Sequence, residues 1–206
     1  MKNIEEYKTR LYRAVKELEQ HTKAEVVVLI KSQSDKYQVA LLVFAAITQW
    51  ITFTLLMFLP IVFGDYFFYC VTIASFFVSW MLAFFISPLQ RLLIPESIMQ
   101  KMVELKAMAA FHKGGISLTT GRTGILIYCS VFEQKILIVA DEGIKRQIPN
   151  AAMNSMQQHF QSIFKTSKPL ESLLTELAAT KEILALYAPR SENDVNELPD
   201  DLEINI

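Results

Sequence analysis

Two long stretches without a charged residue constrain this chain of 206 residues more than any other feature. They run from Val39 to Phe63 and from Tyr66 to Ser87, and together they account for the positive mean hydropathy of +0.28. At a rise of about 1.5 Å per residue, a helix of either length exceeds the roughly 20 residues that span a hydrocarbon core of about 30 Å. The sequence therefore predicts two transmembrane helices. The alternative, a buried helical hairpin of a soluble protein, would need a larger domain around it.

The turn between the two stretches contains only Gly64 and Asp65, so the second helix must return the chain to the side that it left. Basic residues flank the hairpin on both sides and are missing from the turn: Lys23, Lys31, Lys36, Arg91, Lys101 and Lys106. Because cytoplasmic segments next to membrane helices are enriched in Lys and Arg, we expect a two-pass protein of an inner or plasma membrane. Both termini and the soluble part would be cytoplasmic. The polar start of the chain predicts no cleaved secretory signal, and the two cysteines predict no disulfide framework.

The soluble segments alternate between helical and strand patterns. Periodicity and the positions of proline and glycine predict helices at 3–20, from Pro95 to Gly114, from Asn150 and from Pro169 to Pro189, with strands at Ala24–Ile30, Gly124–Phe132 and Lys135–Ala140. This order predicts one α/β sandwich that is interrupted by the inserted hairpin. The expected organisation is 1–38 and 88–189 as the two parts of the soluble domain, 39–87 as the hairpin and 190–206 as a tail.

The tail is strongly acidic. It carries six acidic residues and one arginine: Glu192, Asp194, Glu197, Asp200, Asp201, Glu203 and Arg190. Two interpretations stay open, a solvated end or a segment that docks on the folded domain. The spaced apolar residues of "NELPDDLEINI" favour docking.

The segment "TTGRTG", Thr119 to Gly124, contains the glycines and hydroxyl groups of an anion-binding loop, in which Arg122 would clamp a phosphate or carboxylate. A strand follows this loop, whereas a phosphate-binding P-loop is followed by a helix. A structural loop in which Arg122 pairs with an acid is therefore the favoured interpretation.

Asp141 and Glu142 follow the last strand of the pattern and are the candidate metal ligands, since hard cations prefer clustered carboxylate oxygens. Two carboxylates are too few for a complete site. Glu133 lies at the other end of the same hairpin, roughly 20 Å away at strand rise, so it is not expected to share an ion with Asp141. Asp141 could instead cap the next segment or pair with Lys145 or Arg146.

Other residues favour structural roles. Cys129 is predicted to be a small core residue, and the stripe formed by Met153, Met156, Phe160 and Ile163 is predicted to pack in the core. The side chains of Thr48, Gln49, Thr52 and Thr54 can form hydrogen bonds either back to their own helix or across to the partner helix. No basic and aromatic surface for nucleic acid is recognisable.

The stretch "FHKGGISLTTGRTGILIYCSVFEQKILIVADEGI", Phe111 to Ile144, resembles the core of the TPM domain family, which is named for a thylakoid lumen protein, a photosystem II repair protein and a worm receptor modulator. Further similarity lies in "HTKAEVVVLI" and "NELPDDLEINI", and the most specific parts are "TGRTGILI" and "ADEGI". The resemblance implies an α/β/α sandwich with a mixed central sheet.

The family resemblance also implies candidate roles for individual residues. Asp141 matches the acidic position of the metal-binding members, which suggests a divalent cation, calcium or magnesium, with Glu142 as second ligand. Arg122, Thr123 and Glu133 match the signature of the membrane-hairpin branch and are the candidate ligand-binding residues.

Three functions follow as hypotheses. The first is a membrane-anchored, non-enzymatic TPM module that acts through protein contacts, in assembly or maintenance of a membrane complex, with the lipid bilayer and a membrane protein as partners. The second is a metal-dependent phosphomonoesterase that uses Asp141, Glu142 and the Arg122 loop. The third is regulation by a small anion bound at Arg122.

Overall fold

The computed structural model describes residues 2–59, 64–190 and 204–205. The helices are α1 (Lys2–Glu19), α2 (Gln38–Phe58), α3 (Asp65–Phe85), α4 (Ser87–Leu93), α5 (Glu96–Lys113), α6 (Glu142–Lys145), α7 (Asn150–Ser162) and α8 (Pro169–Tyr187). The strands are β1 (Glu25–Lys31), β2 (Gly124–Ser130), β3 (Lys135–Ala140) and β4 (Ile204–Asn205). The predicted elements of the soluble part are confirmed to within a few residues. The sequence patterns did not predict the short helices α4 and α6.

The strands form one mixed sheet in the order β3-β2-β1-β4. β1 and β2 are parallel, with Glu25 opposite Gly124 and Lys31 opposite Ser130, although the whole hairpin lies between them in the chain. β2 and β3 are antiparallel. The four-residue turn between them lacks the Asn-Gly pair of tight hairpins, and Gln134 takes the left-handed conformation that the turn requires, with φ of 51°.

Alternate residues of the strands point to two separate cores, because side chains in a strand alternate between the faces of the sheet. On one face, β1, β2 and β3 pack against α1, α7 and α8, and the core includes Leu11, Phe160, Leu173 and Cys129. Met156, Phe160 and Ile163 are buried there, which confirms the core interpretation of the methionine stripe. On the other face, the sheet packs against Val103, Ala107 and Phe111 of α5. The fold is therefore mixed α/β, with helices against both faces of the sheet.

Helices α2 and α3 are long and apolar enough to cross a membrane. Only 11% and 17% of the residues in their most apolar windows are buried. The side chains that are buried include the small residues Ala45, Ser79 and Ala83. Small residues at a helix contact let two backbones approach closely. Thr48, Thr52 and Thr54 each donate to the carbonyl oxygen four residues earlier at 2.9 Å, which is the first of the two arrangements that the sequence left open.

The chain divides into two compact units, Met1–Ser34 with Gln100–Ile206, and Asp35–Met99. The second unit is larger than the predicted hairpin of 39–87, because α4 contacts both α2 and α3 and so belongs to the same unit. The prediction for the acidic tail falls mostly on residues 191–203, which lie outside the described residues. The described part of the tail, β4, pairs in parallel with β1 at Ile30 and Lys31.

The outer edge of β3 is covered by two glutamine side chains of α7. Gln157 accepts from the Ile138 amide at 2.9 Å and donates to the Ile136 carbonyl at 2.6 Å. Gln161 accepts from the Ile136 amide at 3.1 Å and donates to the Gln134 carbonyl at 2.8 Å. Since they are one helical turn apart, the two side chains satisfy successive outward-facing backbone groups. They act as a substitute for a neighbouring strand and block edge-to-edge pairing.

We expect the double substitution Gln157→Ala and Gln161→Ala to lower the free energy of unfolding by roughly 2 kcal/mol, about 1 kcal/mol for each side chain. Self-association should increase, because the freed edge can pair with a second chain. Chemical denaturation and light scattering in mild detergent measure the two effects. The control is Gln158→Ala, at an exposed position of the same helix. Equal behaviour of the two variants would contradict the assigned role.

Candidate functional site

The candidate site lies at the end of the sheet where β1 and β2 begin and β3 ends. The loop before β2 folds on itself: the Arg122 amide donates to the Thr119 carbonyl, and the Thr123 amide donates to the Thr119 hydroxyl, both at 2.9 Å. The Thr123 carbonyl accepts from the Glu25 amide at 3.2 Å, which joins the loop to the start of β1. Thr123 is buried. Its groups therefore connect the loop to the sheet.

Two glycines allow the backbone segments to approach at this end. A Cβ atom at Gly143 would lie 2.2 Å from the Gly121 carbonyl oxygen and 2.6 Å from that of Arg122. A Cβ atom at Gly124 would lie 2.2 Å from the Ile116 carbonyl oxygen. The Gly143 amide also donates to the Arg122 carbonyl at 3.0 Å. The motifs "TGRTG" and "ADEGI" are thus two sides of one backbone contact.

Arg122 and Asp141 form an ion pair across this contact. The Nε and Nη2 atoms of Arg122 lie 3.1 Å and 2.9 Å from Oδ1 of Asp141. The same oxygen accepts from the Glu142 amide at 2.7 Å, which caps α6. The pairing of Arg122 with an acid and the capping role of Asp141 agree with the interpretations favoured above. The basic partner of Asp141 is Arg122 and not Lys145, whose Nζ atom lies 3.7 Å from Oε1 of Glu142.

The second carboxylate oxygen of Asp141, Oδ2, is buried and has no hydrogen-bond partner among the described residues. An oxygen of this kind is a suitable ligand for a cation. The rest of the donor set is small, since Glu142 is half exposed and Arg122 adds a positive charge beside the carboxylate. The described part of the chain contains no group of three or more His, Cys, Asp or Glu side chains that could hold a metal ion. Calcium prefers about six to eight oxygen ligands. The residues present therefore do not complete a calcium or magnesium site, and metal binding by Asp141 and Glu142 stays a prediction.

Glu133 lies at the opposite end of the sheet, in the turn between β2 and β3, as its spacing from Asp141 predicted. Its side chain is 1% exposed. Oε1 accepts from the Ser34 amide at 2.8 Å, and Oε2 accepts from the Ser130 hydroxyl. The Ser34 hydroxyl donates to that of Ser130 at 2.9 Å and lies 3.1 Å from the Tyr128 hydroxyl. These four buried side chains, the Glu133 network, tie the segment after β1 to the β2–β3 turn.

The structure thus divides the five predicted site residues between two places. Arg122, Thr123, Asp141 and Glu142 lie together at one end of the sheet, and Glu133 lies at the other. Sequence reasoning missed Ser34, Tyr128 and Ser130. The available signal was weak: Tyr128 and Ser130 are polar residues within an apolar strand, and Ser34 is 96 residues from Ser130 in the chain.

Cys129 is a core residue, as predicted, and is 1% exposed. Burial raises the pKa of its thiol from the ordinary 9.0 to about 12.

Because the pKa of the Cys129 thiol is raised, the folded protein keeps a proton that the unfolded chain releases above pH 9. We expect the stability contributed by this neutral thiol to be complete below pH 9 and to fall by about 1.4 kcal/mol per pH unit between pH 9 and 12. Denaturation of the wild type and of Cys129→Ala at pH 8 and pH 10 tests this, and parallel pH profiles would contradict it.

Comparison with known proteins shows the fold alone. No family model matches the sequence, and no curated protein matches it. The chain is similar to the NMR structure of the BA42 protein from the psychrophilic bacterium Bizionia argentinensis, with 18% sequence identity and a TM-score of 0.58. The match covers 96% of this chain and 91% of that chain.

Proposed function

We propose that this chain is a two-pass membrane protein with a TPM-like α/β domain on the cytoplasmic side, and that the domain acts through contacts with other membrane proteins. Its role would be the assembly or maintenance of a membrane complex. The domain is not an enzyme in this proposal. In this proposal, the motifs "TGRTG" and "ADEGI" have a structural role and stabilise the fold of the domain.

The observation that carries the proposal is that the polar groups of Glu133 and of the motifs "TGRTG" and "ADEGI" form hydrogen bonds and an ion pair within the fold. Oδ1 of Asp141 is occupied by Arg122 and by the amide at the start of α6. The Thr123 carbonyl accepts from the Glu25 amide and so connects the loop to β1, and the Glu133 carboxylate accepts from Ser34 and Ser130. A catalytic group must reach its substrate. These contacts instead bind the motifs to one another.

Nucleophilic catalysis finds little support among the described residues of the site. The thiol of Cys129 lies in the core, and burial raises its pKa to about 12, so the reactive thiolate is scarce at neutral pH. The alternative function, a metal-dependent phosphomonoesterase, is supported by one feature, the buried and unpartnered Oδ2 atom of Asp141. That function would need further metal ligands from the substrate or from water.

A hydrolysis assay separates the two functions. The protein is purified in detergent and given a phosphomonoester with magnesium, manganese or calcium, beside an Asp141→Asn variant. The proposal expects no metal-stimulated turnover above that of the variant. Turnover that a metal stimulates and that Asp141→Asn removes would overturn it in favour of the phosphatase.

The topology is tested separately. Reporters fused to either end of the chain should both be active on the cytoplasmic side, because the hairpin returns the chain to the side it left. Reporters active on opposite sides would contradict the two-pass arrangement. Recovery of the protein in a soluble fraction without detergent would contradict the membrane anchor itself.

A further inference from the structure

Helix α5 has a second apolar face that the core does not use. Val103, Ala107 and Phe111 point to the sheet and are buried. Leu105 and Met108 lie on another side of the helix and are 59% and 50% exposed. Exposed apolar side chains that lie together on one surface mark a contact site more often than scattered ones do.

The exposed face continues into a groove between α5 and β3. The groove has a volume of 560 Å³, and Leu105, Met108 and the β3 residues 137–140 line it. Lys101 and Lys145 also line this groove, together with Glu104. The surface thus combines an apolar centre with ammonium groups beside it.

The charges around this face are mainly basic. Residues 101–113 and 142–146 contain five exposed Lys or Arg residues and two exposed acids: Lys101, Lys106, Lys113, Lys145 and Arg146 against Glu104 and Glu142. Lys101, Lys106 and Lys113 form no ion pair with the described residues, while Lys145 lies 3.7 Å from Glu142. On the other side of the sheet, Arg10 and Lys181 of α1 and α8 are bonded to Glu171 and Glu17. Over these two segments, the α5 side therefore carries three more basic than acidic side chains.

Position in the chain brings this face near a bilayer. Only residues 86–95 separate the end of α3 from the start of α5. If α3 spans the membrane, this short connection keeps α5 within reach of the lipid surface at all times, so even weak contacts are populated. Helical surfaces that combine Leu or Met with several lysines bind to membranes by burying the apolar side chains among the headgroups, where anionic lipids attract the lysines.

We propose that the exposed face of α5, with Lys101, Leu105, Met108 and the neighbouring Lys145, binds the anionic lipid surface beside the hairpin. This contact rests on the membrane anchoring in the proposed function, and it adds a lipid-binding surface to the α/β domain. The lipid headgroups neutralise the lysines, and the acyl boundary receives Leu105 and Met108. The bilayer would then hold the domain in one orientation, with α1 and α8 on the side of the sheet away from the lipid.

The test uses the full chain in lipid nanodiscs with one copy per disc and no other protein. A fluorophore is attached to the thiol that the substitution Met108→Cys introduces in a Cys70→Ser background, and lipids with a nitroxide near the headgroup quench it on contact. The matched control is Ala178→Cys, an exposed position on α8. Protein labelled at the native Cys70, which lies exposed on α3, reports separately whether the hairpin is inserted. The discs contain phosphatidylcholine alone or phosphatidylcholine mixed with phosphatidylglycerol.

We expect strong quenching at position 108 in the anionic discs, weak quenching in the neutral discs, and little at position 178 in either. Lys101→Glu with Lys145→Glu should reduce the equilibrium constant for lipid contact in anionic discs by about fivefold for each lysine removed, and the quenching should fall with it. Equal quenching at 108 in both lipids would overturn the role of headgroup charge. A solvent-exposed probe at 108 in both lipids, with Cys70 inserted, would overturn the lipid contact and leave the face to a protein partner. Absence of quenching at Cys70 would instead refute the membrane anchor.

Discussion

Replacing Gly143 by alanine is expected to lower the free energy of unfolding by about 3 kcal/mol. The new Cβ atom would lie 2.2 Å and 2.6 Å from the carbonyl oxygens of Gly121 and Arg122. Both are backbone atoms, so the loop must move away as a whole. That movement breaks the hydrogen bond from the Gly143 amide to Arg122 and separates Arg122 from Asp141. The substitution therefore removes a backbone contact and an ion pair together.

The free energy of unfolding can be measured through the thiol of Cys129, because this buried thiol becomes reactive only when the α/β domain opens. Pulsed thiol labelling across a denaturant series, in a Cys70→Ser background, yields the unfolding free energy of wild type and variant. Gly64→Ala is the matched control, since a Cβ atom there meets nothing within 4 Å. If Gly143→Ala unfolds at the same denaturant concentration as Gly64→Ala, the inferred close contact between the Gly143 backbone and the Arg122 loop is wrong.

Replacing Glu133 by alanine should also cost about 3 kcal/mol, because two buried donors lose their acceptor. The Ser34 amide and the Ser130 hydroxyl both bond to this carboxylate, and the side chain is 1% exposed, so water cannot easily replace it. The loss should be seen at the β2–β3 turn and at the segment after β1. Hydrogen exchange of the Ser34 amide reports the local effect, and denaturation reports the global one.

Glu133→Gln separates shape from charge. The amide oxygen of glutamine can still accept one of the two hydrogen bonds, so this variant should lose about half as much stability as Glu133→Ala. A ligand-binding role predicts another pattern, in which both variants keep their stability. That result would contradict the structural role of the Glu133 network.

The secondary structure was largely predictable from local patterns. The strand Lys135–Ala140 agrees residue for residue, and the helices that begin near Asn150 and Pro169 agree because prolines and apolar spacing mark them in the sequence. Helix α4 was missed because its seven residues, 87–93, are too few to show a clear helical period after the long apolar stretch. Helix α6 was missed because four residues are too short for any periodic signal.

The candidate site was predictable only in part. Adjacent motifs placed Arg122 near a turn and Asp141 at a strand end, and the antiparallel hairpin predicted that Glu133 would be remote from Asp141. The partner of Arg122 was not predictable, because Arg122 and Asp141 are 19 residues apart and their contact depends on strand register. The contact of Ser34 with Glu133 was also not predictable from the sequence, because it depends on the parallel pairing of β1 with β2, which brings Ser34 next to Ser130 and Glu133.

The sequence by itself determined the two long apolar helices, the alternation of helices and strands, and the two motifs at the ends of β2 and β3. Those features depend on composition and short-range periodicity, which can be read from each segment without knowing what it contacts in the fold. Only the tertiary structure decided which strands are neighbours, that Asp141 pairs with Arg122, and that α5 keeps Leu105 and Met108 exposed. Such properties depend on contacts between residues far apart in the chain, and burial and hydrogen bonding are defined only when both partners are in place.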